Sequence, residues 1–195
     1  LLQDKTGVID AKIWELNNGI ADFDSMDFVM TDGMVTSFQG ARQVNIRRLR
    51  KAEEGEYDPA EYIPSSKYDI EEMYRELCEM IATIKEPHLK QLTENTFLKD
   101  AAFIKEFKVH SAAKSVHHGF VGGLLQHTLA VTRLCDFMAA NYPVLDRDLL
   151  LTAAIFHDFA KVYEISSFPT NDYTDDGQLL GHIFMGAEKI GQKIQ

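Results

Sequence analysis

Two cysteines in 195 residues leave little room for a disulfide scaffold or a thiolate metal site. Cys78 and Cys135 lack metal-ligand spacing and fall in predicted helices, so reduced core thiols are expected. Long apolar runs are also missing: none approaches the roughly 20 residues of a membrane-spanning helix. The first residues, "LLQDKTGVID", carry neither an initiator Met nor a signal-peptide pattern. They read as the interior of a longer, cytoplasmic gene product. Repeats and low-complexity segments are absent, and no phosphate loop is found. "GFVGG" at 119–123, preceded by His117-His118, is followed by no Lys-Ser/Thr, so its glycines imply close packing or a tight turn.

An overall excess of positive charge is lacking too. The formal net charge is −10, and it is unevenly spread. Residues 1–52 hold 7 Lys/Arg and 7 Asp/Glu, whereas residues 53–195 hold 13 and 23. A polyanion is repelled by the second part unless cations are bound there. What the chain does have is 45% apolar and 10% aromatic residues, enough for a packed core.

Two halves differ in hydrophobic period. "GVIDAKIW" alternates, "DFVMTDGMVTSF" gives a second strand with Gly33 as a candidate bulge, and "QG" at 39–40 is a turn. "RQVNIRRL" then sets Val44, Ile46 and Arg48 against Asn45, Arg47 and Leu49. The expectation for residues 1–52 is an antiparallel meander of about three strands, few for a closed domain. Residues 53–68 read as a linker with two prolines, acids and no period. Residues 69–195 read as helical. Asp69 with Glu72 forms a capping-box arrangement before the stripe Ile70, Met73, Leu77, Ile81 and Ile84. Two shorter helices follow, over 87–98 and 101–113. The clearest helices are "GGLLQHTLAVTRLCDFMAANYP" and "DRDLLLTAAIFHDFAKVY". A loop with a small hairpin at Asp176-Gly177 leads to a last helix opening at Gly181.

Four residues could hold a metal. Leu124, Val131 and Leu134 put His127 on the apolar stripe of its helix, where a lone His is usually a satisfied core residue. His157-Asp158 ends a run, Leu149 to Phe156, that suggests a helix buried all round, and an ionised Asp there is costly unless a cation or several donors meet it. On a continuous helix the two side chains lie about 100° apart and can approach one cation, or two together, from adjacent directions. Lys161, i+3 from Asp158, shares that surface; the plain alternative is an exposed Asp-Lys pair at a helix end. His182 opens the next helix, and taken alone it reads as a surface residue. Together the histidines and Asp158 form an N/O donor set suited to Mn, Fe, Zn or Mg-type hydrolytic sites. In the β half, "RQVNIRRLRK" carries Arg42, Arg47, Arg48, Arg50 and Lys51, either a solvated strand or a guide for a polyanion.

The order His127, His157-Asp158, His182 resembles the HD-domain superfamily of metal-dependent phosphohydrolases. "LQDKTGVIDAKIW", "HHGFVGGLLQHTLAV", "LLLTAAIFHDFAK" and "GHIFMGAEKI" together are similar to YhaM-type 3′→5′ exoribonucleases, which join an OB-fold nucleic-acid module to an HD domain. The resemblance implies an α+β chain with a truncated OB-like β module at 1–52, a linker at 53–68 and an all-α HD domain at 69–195. It implies hydrolysis of single-stranded RNA, and also of single-stranded DNA, to nucleoside monophosphates, with self-association as a further expectation. The implied cofactor is a divalent metal, Mn2+ ahead of Mg2+ or Fe2+, as one or two ions held by His127, His157, Asp158 and His182. Asp158 and Lys161 take the catalytic roles, Lys161 on the phosphoryl oxygens, and Arg42, Arg47, Arg48 and Arg50 the nucleic-acid contacts. Two departures stand out. Ala160 replaces a Gly before the lysine, and a later His-His pair and final Asp ligand have no counterpart before Gln195, so the expectation is a longer polypeptide or an inactive fragment. The competing expectations are an HD phosphohydrolase acting on a small nucleotide and a non-catalytic RNA-binding protein.

Overall fold

The computed structural model describes residues 1–195 except 5, 6, 16–18, 59, 60, 115–118, 169 and 195. The pair His117-His118 therefore lies outside the described residues. The architecture is α+β, with strands first and helices after. The chain forms two compact units, Leu1–Pro64 and Ser65–Gln195.

The first unit is a four-stranded sheet of β1 (Leu2–Asp4), β2 (Gly7–Ile13), β3 (Val29–Phe38) and β4 (Ala41–Lys51). Its order is β1-β2-β4-β3, with β2 parallel to β4, which corrects the expected antiparallel meander. Residues 19–21 then lie beside β4 in the same direction as β2, where Leu49 donates to Gly19 O and accepts from Ala21 N, each at 2.8 Å. Such a crossover leaves no periodic signal in sequence, and β1 is too short to give one. The β3–β4 hairpin turns at Gln39 and Gly40, whose φ of 49° and 83° match the primed turns that suit twisted strands. Asp32 pairs with Arg48 but Gly33 pairs with Ile46, so Arg47 is unopposed. This bulge switches the alternation, and Ile46 and Leu49 are both buried, contrary to the expected opposite faces. Gly33 allows the close approach, because a Cβ there would lie 2.4 Å from the Asn45 carbonyl oxygen. Most of the expected linker belongs to this unit: Tyr57 stacks on Phe28 with centroids 4.0 Å apart, and Glu56 accepts two bonds from Arg50 at 2.6 and 2.7 Å.

The second unit comprises α1 (Ile70–Ala82), α2 (Pro87–Glu94) running into a π-helical turn at Asn95–Lys99, α3 (Ala101–Val109), α4 (Gly123–Asn141), α5 (Arg147–Phe156), the short α6 (Lys161–Glu164) and α7 (Asp175–Ile194). Asp69 caps α1 by accepting from Glu72 N at 2.9 Å. Met73, Leu77, Ile81 and Ile84 are buried as the stripe requires. Phe97, on the π turn, sits among Phe103, Phe107 and Phe156 at centroid distances of 5.3, 5.1 and 5.1 Å, all edge-to-face. Cys78 and Cys135 are free and half-buried. Among the described residues no helix is long and apolar enough to cross a membrane.

Three local expectations are corrected. The helix expected over 146–163 breaks after Phe156, and α6 starts at Lys161. Phe159 N donates to Phe156 O at 3.3 Å and Lys161 N to Asp158 O at 3.0 Å, a tight turn that sends both Phe156 and Phe159 into the core. α5 is not buried all round, since Leu149 is 55% exposed. Asp176-Gly177 lies within α7 rather than in a hairpin, and α7 bends at Gly181, where φ is +73°.

Candidate metal centre

Asp158, only 6% exposed, is the point on which the site converges. Its Oδ2 lies 3.3 Å from His127 Nε2, 3.3 Å from His157 Nε2 and 2.8 Å from Lys161 Nζ; its Oδ1 lies 3.3 Å from His182 Nε2. His127 comes from α4, His157 and Asp158 from the turn after α5, Lys161 from α6 and His182 from beyond the bend in α7. The structure thus brings together every residue of the second unit that sequence singled out as a site residue. His127 does not sit in the middle of a buried stripe, however. The buried face of α4 is Leu124, Leu125, Thr128, Leu129 and Thr132, while Leu134 is 61% exposed, so His127 lies at the edge of that face.

The two histidine Nε2 atoms face each other at 3.1 Å. His157 Nδ1 donates to Ala154 O at 2.7 Å, so Nε2 is the nitrogen turned to the cluster, carrying a proton toward Asp158 when the ring is charged and a lone pair when it is neutral. Burial pushes the Asp158 carboxyl up, but hydrogen bonds from His157 and Lys161 outweigh it and hold the group well below the usual carboxylate range. The same bond to Asp158 raises the His157 imidazole, against the opposing effect of burial. Ligand atoms of His127, His157 and Asp158 all lie within 4.8 Å of one another. Two imidazole nitrogens and a carboxylate oxygen crowded this closely need a proton or a cation among them, and the N/O donors fit a divalent ion of the Mn, Fe, Zn or Mg kind.

Sequence reasoning missed Glu164. It is 7% exposed, and it accepts from His182 N at 3.0 Å and from His182 Nδ1 at 2.9 Å to each carboxylate oxygen. The available signal was an acid inside the otherwise apolar "VYEI", three residues after Lys161.

In the first unit Arg42, Arg47, Arg48 and Arg50 are all exposed, but they are not equivalent. Arg50 is committed to Glu56, whose carboxyl that hydrogen bond holds down to about 2. Arg47 instead reaches Met34 Sδ at 2.9 Å. Aromatic neighbours that sequence reasoning passed over lie on the same sheet. Lys12 Nζ stands 5.5 Å from the ring of Trp14 and 5.2 Å from that of Phe38, residues that are 70% and 56% exposed.

Residues 124–194 match the family model of the HD domain. The matched stretch contains His127, His157, Asp158, Lys161, Glu164 and His182, so the match and the donor cluster coincide. It supports an HD-domain phosphohydrolase, a metal-dependent hydrolase that takes a divalent ion. No solved structure matches the chain.

Proposed function

We propose that the protein is a 3′→5′ exonuclease that uses Mn2+ or a related divalent ion to hydrolyse single-stranded RNA, and also single-stranded DNA, to nucleoside monophosphates. The observation that carries this reading beyond a general phosphohydrolase is the pairing, in one chain, of the His127–His157–Asp158 cluster with a separate β unit displaying Trp14, Phe38, Lys12 and Arg47. Exposed rings beside cations suit stacked bases and phosphates, chemistry that a mononucleotide enzyme does not require. Polarity and metal preference rest on the resemblance of "HHGFVGGLLQHTLAV" and "LLLTAAIFHDFAK" to YhaM-type exoribonucleases.

His127, His157 and Asp158 would hold the ion, with His182 on the other oxygen of Asp158. The chemistry a bound divalent ion supplies at such a site is activation of water and neutralisation of phosphate charge. Lys161, anchored on Asp158, offers an ammonium to the phosphoryl oxygens as negative charge builds in the transition state. Water adds to phosphorus, the 3′ oxygen of the preceding nucleotide leaves and is protonated, and the terminal nucleotide departs as a monophosphate.

End-labelled RNA incubated with the protein and Mn2+ tests this reading. The expected products are monophosphates released from the 3′ end, with hydrolysis and bound metal lost together in Asp158→Asn. Phosphate release from free nucleotides without RNA shortening would favour a small-nucleotide phosphohydrolase. RNA binding without bound metal would favour a non-catalytic RNA-binding protein.

A further inference from the structure

We propose that Glu164 is the positioning residue of the centre: it fixes the ring and tautomer of His182, so that Nε2 is the nitrogen presented to Asp158. The inference rests on the metal-hydrolase reading but concerns a residue outside the ligand set.

A carboxylate only accepts hydrogen bonds, so the two 2.9 Å contacts from Glu164 to Nδ1 require the proton to sit on Nδ1. In the neutral ring Nε2 is then the lone-pair nitrogen, and because it lies 3.3 Å from Asp158 Oδ1, itself an acceptor, a cation or a second proton belongs between the two. The backbone prepares the contact. At Gly181 φ is +73° and ψ 155°, a conformation closed to side-chain-bearing residues without strain, and it swings the His182 N–H onto Glu164 Oε1. One turn earlier, a Cβ on Gly177 would lie 2.1 Å from the Glu164 carbonyl oxygen, so a glycine is what lets α7 lie against Glu164 at all. Thr174 N ties the same carbonyl at 2.9 Å. Capping the second half of α7 would need only the bond to His182 N. Both carboxylate oxygens turned on Nδ1 are what ligand orientation needs, as carboxylate–imidazole pairs behind metal ligands provide elsewhere.

Glu164→Gln separates the two roles. The amide oxygen that keeps the His182 N–H still faces Nδ1, but an NH2 replaces the second acceptor there, so the Nδ1–H tautomer is weakened and Nε2–H gains population. Long-range ¹⁵N–¹H spectra of the histidine rings, recorded without metal, should report Nδ1–H at His182 in the parent protein and a larger share of the form protonated only at Nε2 in the variant. Mn2+ affinity, followed by the electron-spin signal of the free ion, should weaken about tenfold to a hundredfold. An unchanged His182 tautomer in the folded variant overturns the proposal, as does unchanged Mn2+ affinity. A parent protein that binds no Mn2+ overturns the metal reading instead, and the tautomer comparison alone then decides the role of Glu164. If Glu164→Gln does not fold, Gly181→Ala displaces His182 while leaving the carboxylate intact. It must then weaken Mn2+ binding and blur the His182 tautomer, and a parent-like result overturns the proposal.

Discussion

Lys161 holds its ammonium 2.8 Å from Asp158 Oδ2, the oxygen that His127 and His157 each approach at 3.3 Å. With a side chain only 18% exposed, Lys161 is no surface ion pair. Its position lets it hold the carboxylate without being a ligand. Lys161→Met is therefore expected to keep Mn2+ and RNA affinity within a few-fold while kcat falls about a hundredfold or more, as when a contact made chiefly in the transition state is lost. Steady-state rates at saturating RNA and metal check this, and near-normal turnover would return the lysine to a packing role.

Arg47, left unopposed by the bulge, and Arg50, held by Glu56, should behave differently as nucleic-acid contacts. Arg47→Glu should weaken binding to long single-stranded RNA and flatten the slope of log affinity against log salt by about one unit or more, whereas Arg50→Ala should change the slope less. Trp14→Ala should cost about 1–3 kcal/mol of RNA binding with little effect on the salt slope. Titrations of a fluorescent oligonucleotide at several salt concentrations separate the charged from the stacking contribution. Equal slopes in all three variants would remove the β unit from the binding account.

His110 is 2% exposed and neither ring nitrogen makes a well-formed hydrogen bond, while backbone of Ile165 and Lys161 lies beside the ring. Burial lowers its imidazole below the ordinary 6.5, against smaller raising effects from those backbone groups and from Glu106. The folded state therefore binds the proton less readily than the unfolded chain. The stability this contributes is complete above about pH 6.5 and is lost as pH falls from there toward the lowered value. His157 has the opposite sign, so the comparison must be between proteins rather than between pH values. His110→Leu should lose less stability than the parent between pH 7.5 and pH 5, measured by urea unfolding of the helices in metal-free buffer. Parallel losses would show that His110 is not the group responsible.

Much of the second unit was legible because its chemistry is local. The N-cap at Asp69 and the stripe from Met73 to Ile84 follow from spacing and residue type, while the set His127, His157, Asp158, Lys161 and His182 stood out as an N/O donor group with a lysine and through its resemblance to HD domains. Glu164 was not, because its partner lies 18 residues on and is reached only through the bend at Gly181. The turn at 157–160 was hidden for a related reason: an apolar run continuing to Phe159 looks like helix, and only the competing demand of Phe156 and Phe159 for one core ends it. In the β unit the turn and bulge were readable at Gln39-Gly40 and Gly33. Strand order was not, because parallel pairing of β2 with β4 depends on where a non-periodic connection returns.

Phe156 and Phe159 bracket His157-Asp158, their rings 5.1 Å apart and both in contact with the cluster around Phe97. The ligand turn is thus clamped at both ends by the domain's own interior, as a jewel is held by its setting. Its geometry is tied to the packing of the helices. Tolerance to sequence change should follow the same line: a drifting residue in the phenylalanine cluster, far from solvent, alters the aperture of the centre, while many changes on the outer surface leave it untouched.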